Sequence, residues 1–143
     1  MGGLRMLDRG AQESDLSATL VRHLEAIRMR DLELYRSTLS ADDDICVMLR
    51  DGIQLRGQAA IMKALEQEFN DATWSSDTEV IWQVETKATA IVVLRVDVYD
   101  RDEGARMRHR QYKEVLVFSN RADGWRLVFD HPVEDRAWVR ALP

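Results

Sequence analysis

A chain of 143 residues, 45% hydrophobic and 31% charged, suits one globular domain with a single core and is too short for two ordinary ones. Seven glycines and two prolines exclude fibrous and low-complexity classes, and a formal net charge of -5 argues against nucleic acid or an anionic membrane surface as the main partner. The only cysteine, Cys46, leaves no internal disulfide and no cysteine-rich metal site; with no membrane-length apolar run and no signal-peptide core, a cytoplasmic protein is expected.

Residues 1–13 show no periodicity and read as a mobile arm, after which Ser14 or Asp15 can cap a helix whose stripe is Leu16, Leu20, Leu24 and Ile27. The pattern resets at Arg30-Asp31, where Asp31 can cap a second segment carrying Leu32, Leu34, Tyr35 and Leu39, and residues 40–44 form a polar break. Residues 45–49 read as a buried strand, Asp51-Gly52 as a tight turn and residues 53–55 as the return strand. Gly57 opens another helix with Ile61, Leu65 and Phe69 on its stripe, ending near Asn70-Asp71. Strands then follow at 78–85, 90–100, 107–120 and 125–133, joined by short turns that include Asp123-Gly124. Helices first and an antiparallel meander after them define the α+β class, with the helices packed on one face of a curved sheet. The domain spans 14–134, and residues 135–143 are left as a C-terminal tail.

Charge suggests a register for the long hairpin. With Arg101-Asp102-Glu103-Gly104 as the loop, Asp97 faces Arg108 and Tyr99 faces Arg106, so Arg106, Arg108 and Arg110 belong to an ion-pair ladder, and Val96 and Val98 share the other face with Met107 and His109. The same parity puts Tyr112, Glu114, Leu116 and Phe118 on the face of Trp125, Leu127, Phe129 and His131, an assignment that a β-bulge would reverse. The opposite face, with Val92, Leu94, Val96, Val115, Val117 and Val128, is also apolar. One chain's helices cover only one side of a sheet, so a homodimer through that second face is expected.

Three stretches carry a family resemblance: Arg30-Asp31-Leu32-Glu33 followed by Ser40-Ala41-Asp42-Asp43, then Arg56-Gly57-Gln58-Ala59-Ala60-Ile61, then Gly124-Trp125-Arg126-Leu127-Val128-Phe129-Asp130-His131. In their order and spacing, the chain from Leu16 to Val133 resembles the ketosteroid isomerase-like and SnoaL-like polyketide cyclase domains of the nuclear transport factor superfamily. The resemblance implies a cone, a bent sheet wrapped around helices with a pocket between them. It also implies a small hydrophobic ligand, carbonyl or polyketide-like, handled without cofactor or metal by an isomerase, dehydratase or cyclase. The fold also serves non-catalytic association modules, which is the alternative reading. The family's general-base aspartate position falls on Met48, whose thioether cannot abstract a proton. Its oxyanion-site tyrosine falls on His23 and its oxyanion-site aspartate on or near Glu114. Met48, Trp82, Tyr112, Trp125 and Phe129 are then the expected substrate-binding wall.

His23, Glu114 and His131 are the candidate acid-base groups, and each has a plainer reading. His23 sits on an apolar stripe and could be a core histidine bonded to a backbone carbonyl. Glu114 either meets a histidine in the pocket, where burial would raise its pKa, or is solvated on a bulged strand. His131 is a pocket-rim proton shuttle or a strand-end histidine half in water, and Trp82 and Trp125 are pocket walls or simply core. His23, His109 and His131 lack metal-ligand spacing, and no phosphate loop or nucleophile motif occurs.

Overall fold

The structure, a computed structural model, describes the backbone of residues 2–133 and the side chains of residues 15–133. The expected C-terminal tail, with Trp138, lies outside the described residues. Helix α1 (Gly2–Met29) starts well before the expected cap at Ser14 or Asp15. Residues 2–14 contain no proline, and their Leu, Arg, Met, Gln and Glu residues favour helix; the missing apolar stripe concerns packing, not backbone propensity. From Leu16 onward α1 buries Leu16, Thr19, Leu20, His23 and Ala26, the spacing of one helical face. Arg30, with φ 56°, ends it in the left-handed conformation, and the Asp31 amide bonds back to the Ala26 carbonyl at 2.9 Å. Asp31 then caps α2 (Leu32–Ser37) as expected, its carboxylate accepting from the Leu34 amide at 3.0 Å.

After the short strands β1 (Cys46–Met48) and β2 (Gln54–Arg56) and helix α3 (Gln58–Asn70) come four long strands: β3 (Ser75–Glu85), β4 (Thr89–Arg101), β5 (Met107–Arg121) and β6 (Gly124–Val133). The six form one sheet in the order β2-β1-β6-β5-β4-β3. All pairs are antiparallel except β1 with β6, which run parallel and set Cys46 beside Phe129 and Val47 beside Asp130. The α+β layout and the meander are as read from the sequence. The parallel contact adds β1 to the sheet and places Met48 and Arg50 beside the long strands. Leu16, Leu20, Ile61, Leu94, Leu116, Phe118 and Leu127 make the core between α1, α3 and the concave face, each at most 7% exposed. No helix among the described residues is long and apolar enough to cross a membrane.

Three irregularities correct the expected register. The β4–β5 loop runs over residues 102–106: the Asp102 carboxylate accepts from the amides of Gly104 and Arg106 at 2.9 Å each, and Ala105 takes φ 60°. The longer loop slips the pairing, so Asp100 faces Arg108, Asp97 faces Gln111 and Tyr99 faces His109. The ion-pair ladder survives with different members: Asp100 takes both Arg108 (2.9 Å) and Arg110 (2.7 Å), and Asp97 takes His109 (2.7 Å). Because the slip is odd, Val92, Leu94 and Val96 join Tyr112, Glu114 and Leu116 on the concave face, not the second face expected for them, while Val115 and Val117 remain convex. A bulge at Ile81, between Val80 and Trp82, and another at Val128, between Leu127 and Phe129, bend the sheet and reverse the facing of everything beyond them.

Candidate active site

The bent sheet closes over α1 and α3 around a cavity of about 420 Å³. Its innermost wall is His23, Tyr35, Leu116 and Asp130, all at most 7% exposed, and its outer end is Asp71, Trp74, Asp100, Arg101 and Arg110. A carboxyl pair is set into the inner part. Leu116 faces Asp130 and Glu114 faces Pro132 across β5 and β6, which brings the Glu114 and Asp130 side chains together on the concave face, where they hydrogen-bond to each other. Two carboxyls can bond only if one holds a proton. Burial, the charge of Glu114 and the hydrogen bond to it push Asp130 well above the ordinary carboxyl range, with Glu68 adding to the same effect, and the pair holds one proton between its two carboxyls. Glu114 is raised by burial as well, opposed by the bond from Asp130 and the charge of Arg50. Tyr112, over whose ring the Arg50 guanidinium lies at 4.8 Å, is raised by burial and stays a neutral donor.

His23 enters the cavity wall from α1. The Thr38 hydroxyl donates to the Tyr35 carbonyl at 2.7 Å, so its single hydrogen is committed and it accepts from His23 Nδ1 at 2.8 Å. The imidazole is thereby fixed as the Nδ1–H tautomer, with a lone pair on Nε2. Burial lowers its pKa to about 4, so the ring is neutral at pH 7. It packs on Tyr35 at 4.7 Å between ring centres and meets Phe118 edge-on. The arrangement therefore offers a carboxylate to accept a proton, a neutral carboxylic acid and a tyrosine to donate hydrogen bonds, and apolar walls that keep these groups out of bulk water.

Of the expected site residues, His23, Glu114, Met48 and Tyr112 line this cavity. Four do not. The bulge at Val128 turns Phe129 and His131 to the convex side, where His131 is exposed and meets Phe129 edge-on at 6.1 Å. The bulge at Ile81 does the same to Trp82, 53% exposed. Trp125 does face inward but packs as core, 4% exposed, with its carbonyl accepting from Thr19 Oγ1 at 3.2 Å. His23 bonds a threonine hydroxyl instead of the backbone carbonyl of the core reading, and Glu114 meets Asp130 instead of a histidine. Asp130 takes the place expected of His131, and sequence reasoning missed it. Its one signal was a second ionisable residue at the end of an apolar strand, on the face that strict alternation called outward. Among the described residues no group of three or more His, Cys, Asp or Glu is arranged to hold a metal ion.

The model of the SnoaL-like domain family matches residues 16–132. No curated protein sequence matches the chain. Among solved structures it is similar to a domain of unknown function with a cystatin-like fold from Nostoc punctiforme (TM-score 0.73, 16% identity, 92% of this chain and 84% of that one). It is also similar to a nuclear transport factor 2-like superfamily protein from Salmonella enterica (0.72, 14%, 88% and 92%) and to a ketosteroid isomerase-like protein from Erwinia carotovora (0.70, 16%, 83% and 92%). At these identities the likeness shows the shared fold alone.

Proposed function

The chain belongs to the SnoaL-like domain family, and from that premise we propose that it binds a small, largely hydrophobic carbonyl compound in the cone cavity and moves a proton on it, as an isomerase, dehydratase or cyclase. The observation that carries this reading is the Glu114–Asp130 pair, two hydrogen-bonded carboxyls on the wall of a cavity of about 420 Å³. Glu114 is the proton acceptor, its basicity raised by burial. Tyr112, held neutral by burial, is the donor to the enolate-like oxygen that develops when a carbon next to a carbonyl loses its proton, while the proton of the carboxyl pair stays between Asp130 and Glu114. This division of labour supplies a base although Met48 stands where relatives place one. Thermal-shift titration with hydrophobic ketones and enones tests it: ligand-dependent stabilisation is expected in the parent, with turnover of any substrate lost in Glu114→Gln. Absence of stabilisation by every compound overturns the proposal.

The alternative, a non-catalytic association module, calls for a filled cone or outward-facing His23 and Glu114, and the open cavity lined by both favours the ligand-binding reading. Association and binding are compatible, however. Ile91, Val93, Val115 and Val117 lie half-buried on the convex face beside exposed Trp82 and Val84, and we read this patch as the surface of a cytoplasmic homodimer.

A further inference from the structure

Among the described residues, five carboxyls line the cavity: Glu68, Asp71, Asp100, Glu114 and Asp130. Four of them are engaged with partners. Asp71 accepts from the Thr73 amide at 2.9 Å and from its hydroxyl at 2.5 Å, Asp100 holds Arg108 and Arg110, and Glu114 and Asp130 hold each other. Glu68 differs: no described side chain bonds its carboxyl, and the Trp74 indole, at 3.0 Å, donates to its backbone carbonyl. Its place follows from the helix. Ile61, Leu65, Glu68 and Phe69 share one face of α3 at helical spacing, and the last three of them meet the cavity, so an acid stands on an apolar stripe without a partner. Another wall is β5, with Tyr112, Glu114 and Leu116, and the charge of Glu68 acts on Glu114, Asp130 and Tyr112 alike. Glu68 keeps contact with solvent, unlike buried Asp130. Partial withdrawal of its carboxyl from water, with the charge of Asp71, raises its pKa, so it holds a proton more readily than an ordinary glutamate.

On the reading that this cavity takes a proton from a carbon next to a carbonyl, we propose that Glu68 is the acid for a leaving group and that the reaction is loss of water from a β-hydroxy ketone. Glu114 accepts the proton of the carbon between the carbonyl and the carbinol. The electron pair of that C–H bond becomes the new carbon–carbon double bond as the C–O bond breaks, and the departing oxygen takes the Glu68 proton and leaves as water. Tyr112 hydrogen-bonds the carbonyl oxygen meanwhile. The product is an enone, nothing is oxidised or reduced, and the proton gained by Glu114 and lost by Glu68 is returned through solvent. An allylic isomerisation gives back to the molecule the proton its base removed and needs one carboxyl; loss of water needs an acceptor at one atom and a donor at another, on separate groups. It also sheds a water molecule, and Glu68 stands where the cavity is wetted, so the water can leave there and the carboxyl can regain its proton.

The test compares 4-hydroxydecan-2-one with 4-acetoxydecan-2-one, ketones that differ in the group that leaves: hydroxide must be protonated, acetate need not be. The parent should form dec-3-en-2-one from both above the uncatalysed rate, followed by the absorbance of the conjugated enone. Glu68→Gln should lower the ratio of the hydroxy ketone rate to the acetoxy ketone rate about hundredfold, the scale of a general acid, whereas Glu114→Gln should lower both rates together. A ratio unchanged in Glu68→Gln, however far both rates fall, overturns the inference, and so does failure of the parent to dehydrate the hydroxy ketone. Exchange of the α-hydrogens of decan-2-one in heavy water separates this inference from the proposed function. A parent that exchanges them without dehydrating the hydroxy ketone removes the inference and leaves the proposed function standing. A parent that neither exchanges them nor is stabilised by any ketone removes both.

Discussion

The concave and convex faces of this sheet are made from the same strands and treat the same residue types in opposite ways. On the concave face Asp130 is pushed well above the ordinary carboxyl range by burial and by Glu114. On the convex face Asp97 is held below it by hydrogen bonds from His109 and Gln111, and at the cavity mouth the guanidiniums of Arg108 and Arg110 hold Asp100 down to about 2. An aspartate's chemistry here follows from which side of the pleat it occupies. The apolar residues divide likewise: Phe118 is fully buried on the concave side, whereas Phe129, one pairing step away across the Val128 bulge, is only half-buried on the convex one.

The contrast is most severely tested by truncating those two rings. Phe118→Ala should lower unfolding stability by about 3–5 kcal/mol in denaturant titration, the cost of a cavity in a packed core. Phe129→Ala should cost about 1–2 kcal/mol in dilute protein. Equal losses would mean that Phe129 is core and the bulge is misplaced. The next effect in size is electrostatic. His23 has its pKa lowered from 6.5 to about 4, so the stability it confers as a neutral ring is complete above pH 6.5 and is lost as pH falls toward 4, about 3 kcal/mol in all. The carboxyl pair runs the other way. With folded pKa values raised, its contribution is complete below the unfolded carboxyl value near 4 and is lost as pH rises through the folded values. Melting curves across pH should therefore show an acid limb that flattens in His23→Gln and a decline with rising pH, beginning above the ordinary carboxyl value, that flattens in Asp130→Asn. An acid limb unchanged in the histidine variant would contradict the buried neutral ring.

The convex patch is the third test. Val117→Lys should leave a folded monomer where the parent sediments as a dimer at micromolar concentration; a monomeric parent would contradict the dimer.

Much of this arrangement was legible in local sequence and some was not, for a definite physical reason. Turns, caps and strand extents depend on neighbours in the chain: Asp31 as a cap, Gly124 at φ 106° in the last hairpin and the four long strands all fell within a few residues of expectation. Facing depends on register, and one extra residue reverses it without leaving a compositional mark. The bulges sit in runs of consecutive apolar residues, Val80-Ile81-Trp82 and Leu127-Val128-Phe129, where alternation gives no guidance. Yet 115–118 is the same kind of run and carries no extra residue, pairing regularly with β4 and lying opposite the Val128 bulge as its unbulged partner, so the run permits a bulge without requiring one. His23 and Glu114 line the cavity as expected, His23 indicated by a helix stripe and Glu114 by strand parity, each together with a family position. Asp130 was lost to parity alone, and Phe129 and His131 were placed inside by the same error, whereas Trp82 was placed there by the family resemblance and turned out by the bulge at Ile81.

The smallest expected effect lies on the convex face, and its smallness is the point. Asp97 accepts from His109 Nε2 at 2.7 Å and from Gln111 at 3.0 Å, and His109 stacks on Tyr99 at 4.7 Å between ring centres. In geometry this cluster is as well formed as the buried one. His109 is exposed, however, so solvent and salt screen the pair and the carboxylate is well hydrated without its partner. The depressed pKa of Asp97 gives stability that is present above the ordinary carboxyl value and lost as pH falls through the folded one. Asp97→Asn should accordingly cost no more than about 0.5 kcal/mol at pH 7, fading further in 1 M salt. A loss comparable with that of His23→Gln would show that the convex surface is covered in the native protein, because only a desolvated carboxylate could be worth so much, and it would then support the dimer from an independent direction.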